Sequence, residues 1–132
     1  MKKEEIINYW IKSSDGDFKT MEHLFDSKDY TWALFMGHLV IEKLAKALHT
    51  KMVDGNAPHS HNLVYILSRT GIEFDEKKSD LLSDLTTFNI NARYDDYKRE
   101  FKKTCSREYA GKYINEIKGL RRWLKKLIKI QQ

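Results

Sequence analysis

The sequence predicts an all-α protein: an antiparallel up-and-down four-helix bundle with one short additional helix, in a single domain over residues 1–132. Two observations carry this. Apolar residues recur at helical spacing in four long segments, and no segment shows the strict alternation of a half-buried strand. The joints are short and rich in turn formers, as in Ser27-Lys28-Asp29, Asp54-Gly55-Asn56-Ala57-Pro58 and Thr70-Gly71.

Residues 3–28 read as an amphipathic helix, with Ile7, Trp10, Ile11, Phe18, Met21, Leu24 and Phe25 on one face. Ser14 falls on that face, where a small residue allows close approach. Asp15-Gly16-Asp17 weakens its middle, because a glycine costs up to about 1 kcal/mol inside a helix, and a kink is expected there. Asp29 is placed to cap the next helix. That helix, Tyr30 to Met52, is apolar nearly all round and so should be buried. One narrow polar line survives on it: His38, Glu42 and Lys46, each one turn after the last, flanked by Lys43 and His49.

After the glycine and the single proline of 54–58, Ser60 or Asn62 can cap a short helix carrying Leu63, Ile66 and Leu67. Residues 75–90 form a fourth helix, with Leu81, Leu82, Leu85 and Phe88 inward. A polar and aromatic corner follows, Asn91-Ala92-Arg93-Tyr94-Asp95-Asp96-Tyr97, and Lys98 to Lys103 reads as a mostly basic connector. Thr104 or Ser106 can cap the last helix, whose stripe is Ala110, Tyr113, Ile114, Ile117, Leu120, Leu124, Leu127 and Ile128. Trp10, Trp32 and Trp123 come from three long helices and are read as core or subunit-surface residues.

Composition narrows the function classes. The net charge of +5 leans toward a polyanionic partner, while the plainer reading is a lysine-rich surface. The single cysteine, Cys105, rules out a disulfide framework within the chain and suits a reducing cytoplasm. No histidine lies near it in sequence to act as its base. The start, MKKEEIINYW, is charged and does not read as a signal peptide. Four polar or charged residues interrupt the apolar run of 30–52, which argues against a membrane span. No metal ligand set is expected, since His59 and His61 with His38 or Glu42 fall short of a four-ligand structural site. No cofactor-binding loop is present, because the six glycines are scattered.

The best constellation joins Glu42, Lys43 and Lys46 on the central helix to Arg93, Tyr94 and Asp95 after the fourth. A guanidinium grips phosphate bidentately, a lysine adds a point charge, and a tyrosine stacks on a base. The competing reading is structural. Glu42–Lys46 is also an ordinary helix pair, and Arg93 paired with Asp95 or Glu42 would lock two helices together.

At these residues the chain resembles the HEPN family (higher eukaryotes and prokaryotes nucleotide-binding). The resemblance rests on Asp29-Tyr30 with Ala33, Ile41-Glu42-Lys43-Leu44-Ala45-Lys46-Ala47, Pro58-His59-Ser60-His61-Asn62-Leu63 and Ala92-Arg93-Tyr94-Asp95, in that order. The proline of the family's Arg-Tyr-Pro-Asp motif is absent, since Asp95 follows Tyr94 directly. The resemblance implies an antiparallel helical bundle, a homodimer, and a small cytoplasmic prokaryotic protein encoded beside a minimal nucleotidyltransferase. Some members are toxin RNases that carry an arginine followed a few residues later by a histidine. Lys98 and Arg99 stand where that histidine would be, and the last histidine, His61, precedes the first arginine, Arg69.

The expected function is therefore a non-catalytic module that binds a nucleotide or RNA phosphate, with no catalytic residue, in a toxin–antitoxin-like pair with the transferase. Lys43, Lys46 and Arg93 would contact phosphate, Tyr94 would stack, and Glu42 with His61 would position them, Asp95 completing the set. The alternative is a pure dimerisation or partner-interaction module. A third reading is an RNase with a degenerate active site, using Tyr97 or Lys98.

Overall fold

The computed structural model describes residues 2–130. Six helices run in order: α1 (Lys3–Asp26), α2 (Tyr30–Met52), α3 (Leu63–Ser68), α4 (Glu76–Asn91), α5 (Asp95–Thr104) and α6 (Arg107–Ile130). Among the described residues there is no strand. The most apolar segment of the sequence is also the most enclosed helix. α2 packs against every other helix, and Leu34, Val40, Ile41, Leu44, Ala45 and Leu48 have no exposed surface.

Side-chain ladders fix the helix directions. Lys46 Nζ lies over the Trp10 ring at 5.5 Å, Ser14 Oγ donates to the Val40 carbonyl at 2.8 Å, and Met21 closes on Gly37, so α1 and α2 run antiparallel. Asp15 takes Arg121 at 3.1 Å and Lys125 at 2.7 Å, while Glu22 meets Lys118 at 3.9 Å, so α1 also runs against α6. Phe74 meets the Trp123 ring at 6.3 Å, and the Tyr113 hydroxyl donates to Asp84 at 2.9 Å, which sets α4 against α6. The four long helices therefore alternate in direction, as the short joints required.

The expected weak point of α1 does not break it, and the helix is continuous through Gly16. Asp15 and Asp17 are pinned to α6 and α2, and these tertiary contacts offset the local cost. α1 ends at Asp26, and Lys28 takes a left-handed φ of 67° that turns the chain into α2. Asp29 sits at the N-cap of α2, yet its side chain caps nothing. Asn62 caps α3 through the Tyr65 amide, Asp75 caps α4 through the Lys78 amide, and Ser106 accepts from the Tyr109 amide as α6 begins.

One segment departs from the sequence reading. Residues expected as a basic connector form α5, a second short helix beside α3. It buries only Phe101 of its own, and that ring joins Phe88 at 5.3 Å, which in turn meets Tyr113 at 5.1 Å. One aromatic anchor suffices because Asp95 and Asp96 open the helix and Lys102 and Lys103 close it, each complementing the helix dipole.

Gly37 is the glycine most tightly enclosed by neighbouring helices. A methyl group there would overlap Ile117 Cδ1 on α6 and sit 3.2 Å from Met21 Sδ on α1.

Candidate functional site

The polar line of α2 turns inward. His38 is fully buried and Glu42 is 4% exposed. A lone carboxylate at that depth requires partners, and Glu42 has them. Its Oε1 accepts from His61 Nδ1 at 2.7 Å, and its Oε2 accepts from Lys46 Nζ at 3.2 Å. His38 Nε2 lies 3.5 Å from the same Oε1 and 3.1 Å from the His61 carbonyl. A carbonyl only accepts, so Nε2 carries the proton and His38 Nδ1 is the unprotonated nitrogen. That Nδ1 is buried with no partner among the described residues. Burial holds the His38 pKa below its ordinary value, against the opposing pull of the His61 carbonyl and Glu42. The imidazole is therefore neutral at neutral pH.

These contacts pin the loop before α3. His61 is held by its ring and its carbonyl, the Asn62 amide donates to Ser60 Oγ at 3.0 Å, and the Leu63 amide donates to Thr86 Oγ1 at 3.1 Å. Lys46 Nζ also lies over the Trp10 ring, 5.5 Å from its centroid.

The residues singled out in the sequence divide into three groups. Glu42, Lys46 and His61 form one network. Lys43 lies elsewhere, on the α1 side of α2, where Asp17 and the Ser13 hydroxyl hold it. Arg93 and Tyr94 form a separate exposed unit. The Arg93 guanidinium lies 5.7 Å from the Phe35 centroid and 5.2 Å from that of Tyr94. Asn89 holds it from behind: Arg93 Nε donates to the Asn89 carbonyl at 2.8 Å, and a second guanidinium nitrogen donates to Asn89 Oδ1. Among the described residues no carboxylate pairs with Arg93, so neither helix-locking ion pair forms. Asp95 instead lines a cleft between the start of α2 and α5.

Sequence reasoning left out His38, Phe35 and Asn89 from the site. The signals were present as spacing. Phe35 precedes His38 by about one turn, and Asn89 precedes Arg93 by four residues on one helix face. Cys105 is a buried thiol whose pKa burial raises to about 11, which leaves it protonated at neutral pH. Among the described residues no group of three or more His, Cys, Asp or Glu side chains is arranged to hold a metal ion, and no helix is long and apolar enough to cross a membrane.

An all-helical bundle with an inward-facing Glu-Lys line and an Arg-Tyr corner defines a small helical-bundle domain. The model of the HEPN domain family matches residues 7–127, nearly the whole chain, and the protein belongs to that family. No curated protein and no solved structure matches it. Membership gives a nucleotide- or RNA-related or partner-binding role at the level of the family.

Proposed function

We propose that the protein binds a nucleotide or a nucleic-acid phosphate at the Arg93–Tyr94 corner. It does so as a non-catalytic partner of a separately encoded minimal nucleotidyltransferase, in a toxin–antitoxin-like module. One observation carries this reading: Arg93 is exposed, free of any carboxylate among the described residues, and oriented by Asn89 between two aromatic rings. Such a guanidinium is aimed before a ligand arrives, so little rotamer entropy is lost on binding. Tyr94, 53% exposed, offers the adjoining face for a base. Lys43 and Lys46 are already neutralised by Asp17 and Glu42, so phosphate contact falls to Arg93.

Fluorescence anisotropy of labelled nucleotides and short RNA, over a salt series, tests the reading. Saturable binding that weakens as salt rises is expected, with affinity falling roughly tenfold or more in Arg93→Ala, the value of a charge-assisted hydrogen bond. Arg93→Lys should fall nearly as far, because an ammonium lacks the planar fork. Binding indifferent to both substitutions defeats it.

A second reading has its own support. Trp32, Ile90, Tyr94 and Tyr97 are each at least two-fifths exposed, an apolar content suited to a dimer or partner interface. Under it, Arg93→Ala shifts the sedimentation behaviour of the protein while no nucleotide binds.

A further inference from the structure

The joint after α2 carries a reactive pair that plays no part in ligand binding at Arg93. Asp54 and Gly55 are both exposed and lie outside the helices, since α2 ends at Met52. Among the described residues Asp54 enters no ion pair, and the Gly55 amide donates to no backbone carbonyl. Gly55 has a left-handed φ of 103°, and the space where a Cβ would stand is empty. The sequence holds a second Asp-Gly pair, Asp15-Gly16, in the opposite situation. Gly16 lies inside α1, where its amide belongs to the helix ladder. The Asp15 carboxylate is drawn across to α6 by Arg121 at 3.1 Å and Lys125 at 2.7 Å.

An aspartate followed by glycine is able to close on itself. The glycine nitrogen attacks the aspartate Cγ, an N–C bond forms, and the C–OH bond of the carboxyl breaks. The hydroxyl leaves with the amide proton as water, and the product is a cyclic succinimide. Water then adds to one of the two ring carbonyls. Addition at Cγ restores aspartate. Addition at the main-chain carbonyl breaks its bond to the glycine nitrogen, so the chain runs on through Cβ and Cγ and a free carboxylate is left at Cα. Water is lost and regained, so the isoaspartate has the mass of the starting chain and no other reactant is consumed. Ring closure needs rotation about the aspartate ψ and an unhindered nitrogen. Glycine supplies both where the backbone is free to turn. A residue fixed by helix hydrogen bonds must first open locally, at a free-energy cost that an exposed loop does not carry.

We propose that Asp54-Gly55 is a site of spontaneous isoaspartate formation in the folded protein, and so a substrate for a methyltransferase that esterifies the new carboxylate, while Asp15-Gly16 is protected by the fold. The site is independent of the reading at Arg93, and neither needs the other. Ageing the full chain at physiological pH and temperature, followed by trypsin digestion and mass spectrometry, tests it. Asp54 falls in the peptide Met52–Arg69 and Asp15 in the peptide Ser13–Lys19, so the two are read separately. An isomer of unchanged mass should accumulate in the first, placed at Asp54 by fragmentation, and should accept a methyl group from S-adenosylmethionine in the presence of an isoaspartyl methyltransferase. Deamidation of Asn56 in the same peptide changes its mass and is distinguished by that. In the folded chain Asp54 should convert roughly a hundredfold or more faster than Asp15, because opening the middle of α1 draws on a sizeable part of the global stability. In urea the two sites should convert at similar rates, since the same pair of residues then stands in the same unfolded chain. Gly55→Ala should slow the Asp54 reaction severalfold by placing a Cβ beside the nitrogen. Asp54→Glu should abolish the isomer, because the longer side chain closes a larger and slower ring. Absence of the Asp54 isomer from the aged folded chain, a folded-state ratio below about tenfold between the two sites, or a methylation signal that survives Asp54→Glu in the peptide Met52–Arg69 without a change of mass overturns the proposal.

Discussion

Replacing Glu42 with alanine removes the acceptor shared by Lys46 and His61. Glu42 is 4% exposed, and the Lys46 side chain keeps 12% of its surface. Deleting one member of a buried pair costs roughly 3–5 kcal/mol, because the other charge is left stranded. Lys46 sits near the edge of the bundle over Trp10 and can swing its ammonium toward water, which places the loss at the lower end, about 3 kcal/mol. The His61 ring is more than half exposed, so its hydrogen bond adds less than about 1 kcal/mol. For a chain of this length a 3 kcal/mol loss lowers Tm by roughly 9–15 °C. Urea unfolding of Glu42→Ala, Lys46→Met and the double variant measures both the loss and the coupling. A loss under about 1 kcal/mol, or single effects that add to within about 0.5 kcal/mol, refutes the reasoning.

The remaining predictions concern two histidines and two glycines. His38 ordinarily titrates near 6.5 and is held lower in the fold, so the unfolded chain binds the extra proton. Stability should hold above that pH and fall as pH drops below it, and urea midpoints between about pH 5 and pH 8 will show this. His49 contributes with the same sign, since burial and then Arg69 lower its pKa. It is 1% exposed, and both its ring nitrogens lack partners among the described residues. His49→Leu should be neutral or stabilising by up to about 1 kcal/mol and should flatten part of the acid-side loss. Glycine-to-alanine changes should have opposite signs at two positions. At Gly37 overpacking against Ile117 costs about 1–3 kcal/mol and outweighs the helix-propensity gain. At Gly16, with open space beyond it, the same change should stabilise by up to about 1 kcal/mol, and calorimetry of both variants checks the pair.

Periodicity exposed most of the fold. The central helix, its polar line and the stripe of α6 all follow from apolar spacing, because burial and helical period are what those residues encode. α5 was hidden because one buried phenylalanine makes no period, and its acidic start and basic end were the remaining clue. The candidate site was half legible. Glu42, Lys46 and His61 do meet, whereas Lys43 turns to α1. On a helix wrapped by neighbours on all sides, adjacent residues face different partners, and sequence spacing alone does not say which neighbour stands where. The Asn89 clamp on Arg93 needed only local spacing, but a short amide gives no charge signal to single it out.

The hydrogen bonding of Glu42 bears on how the Ile41–Ala47 signature should be interpreted. With both oxygens engaged by a lysine and a loop imidazole, this carboxylate works as a strut between the middle of α2 and the approach to α3. In this chain, Glu42 and Lys46 of that string therefore serve as scaffolding. Whatever guest the molecule receives must be sought on the outward surfaces beyond it, where positive groups still lack counterparts.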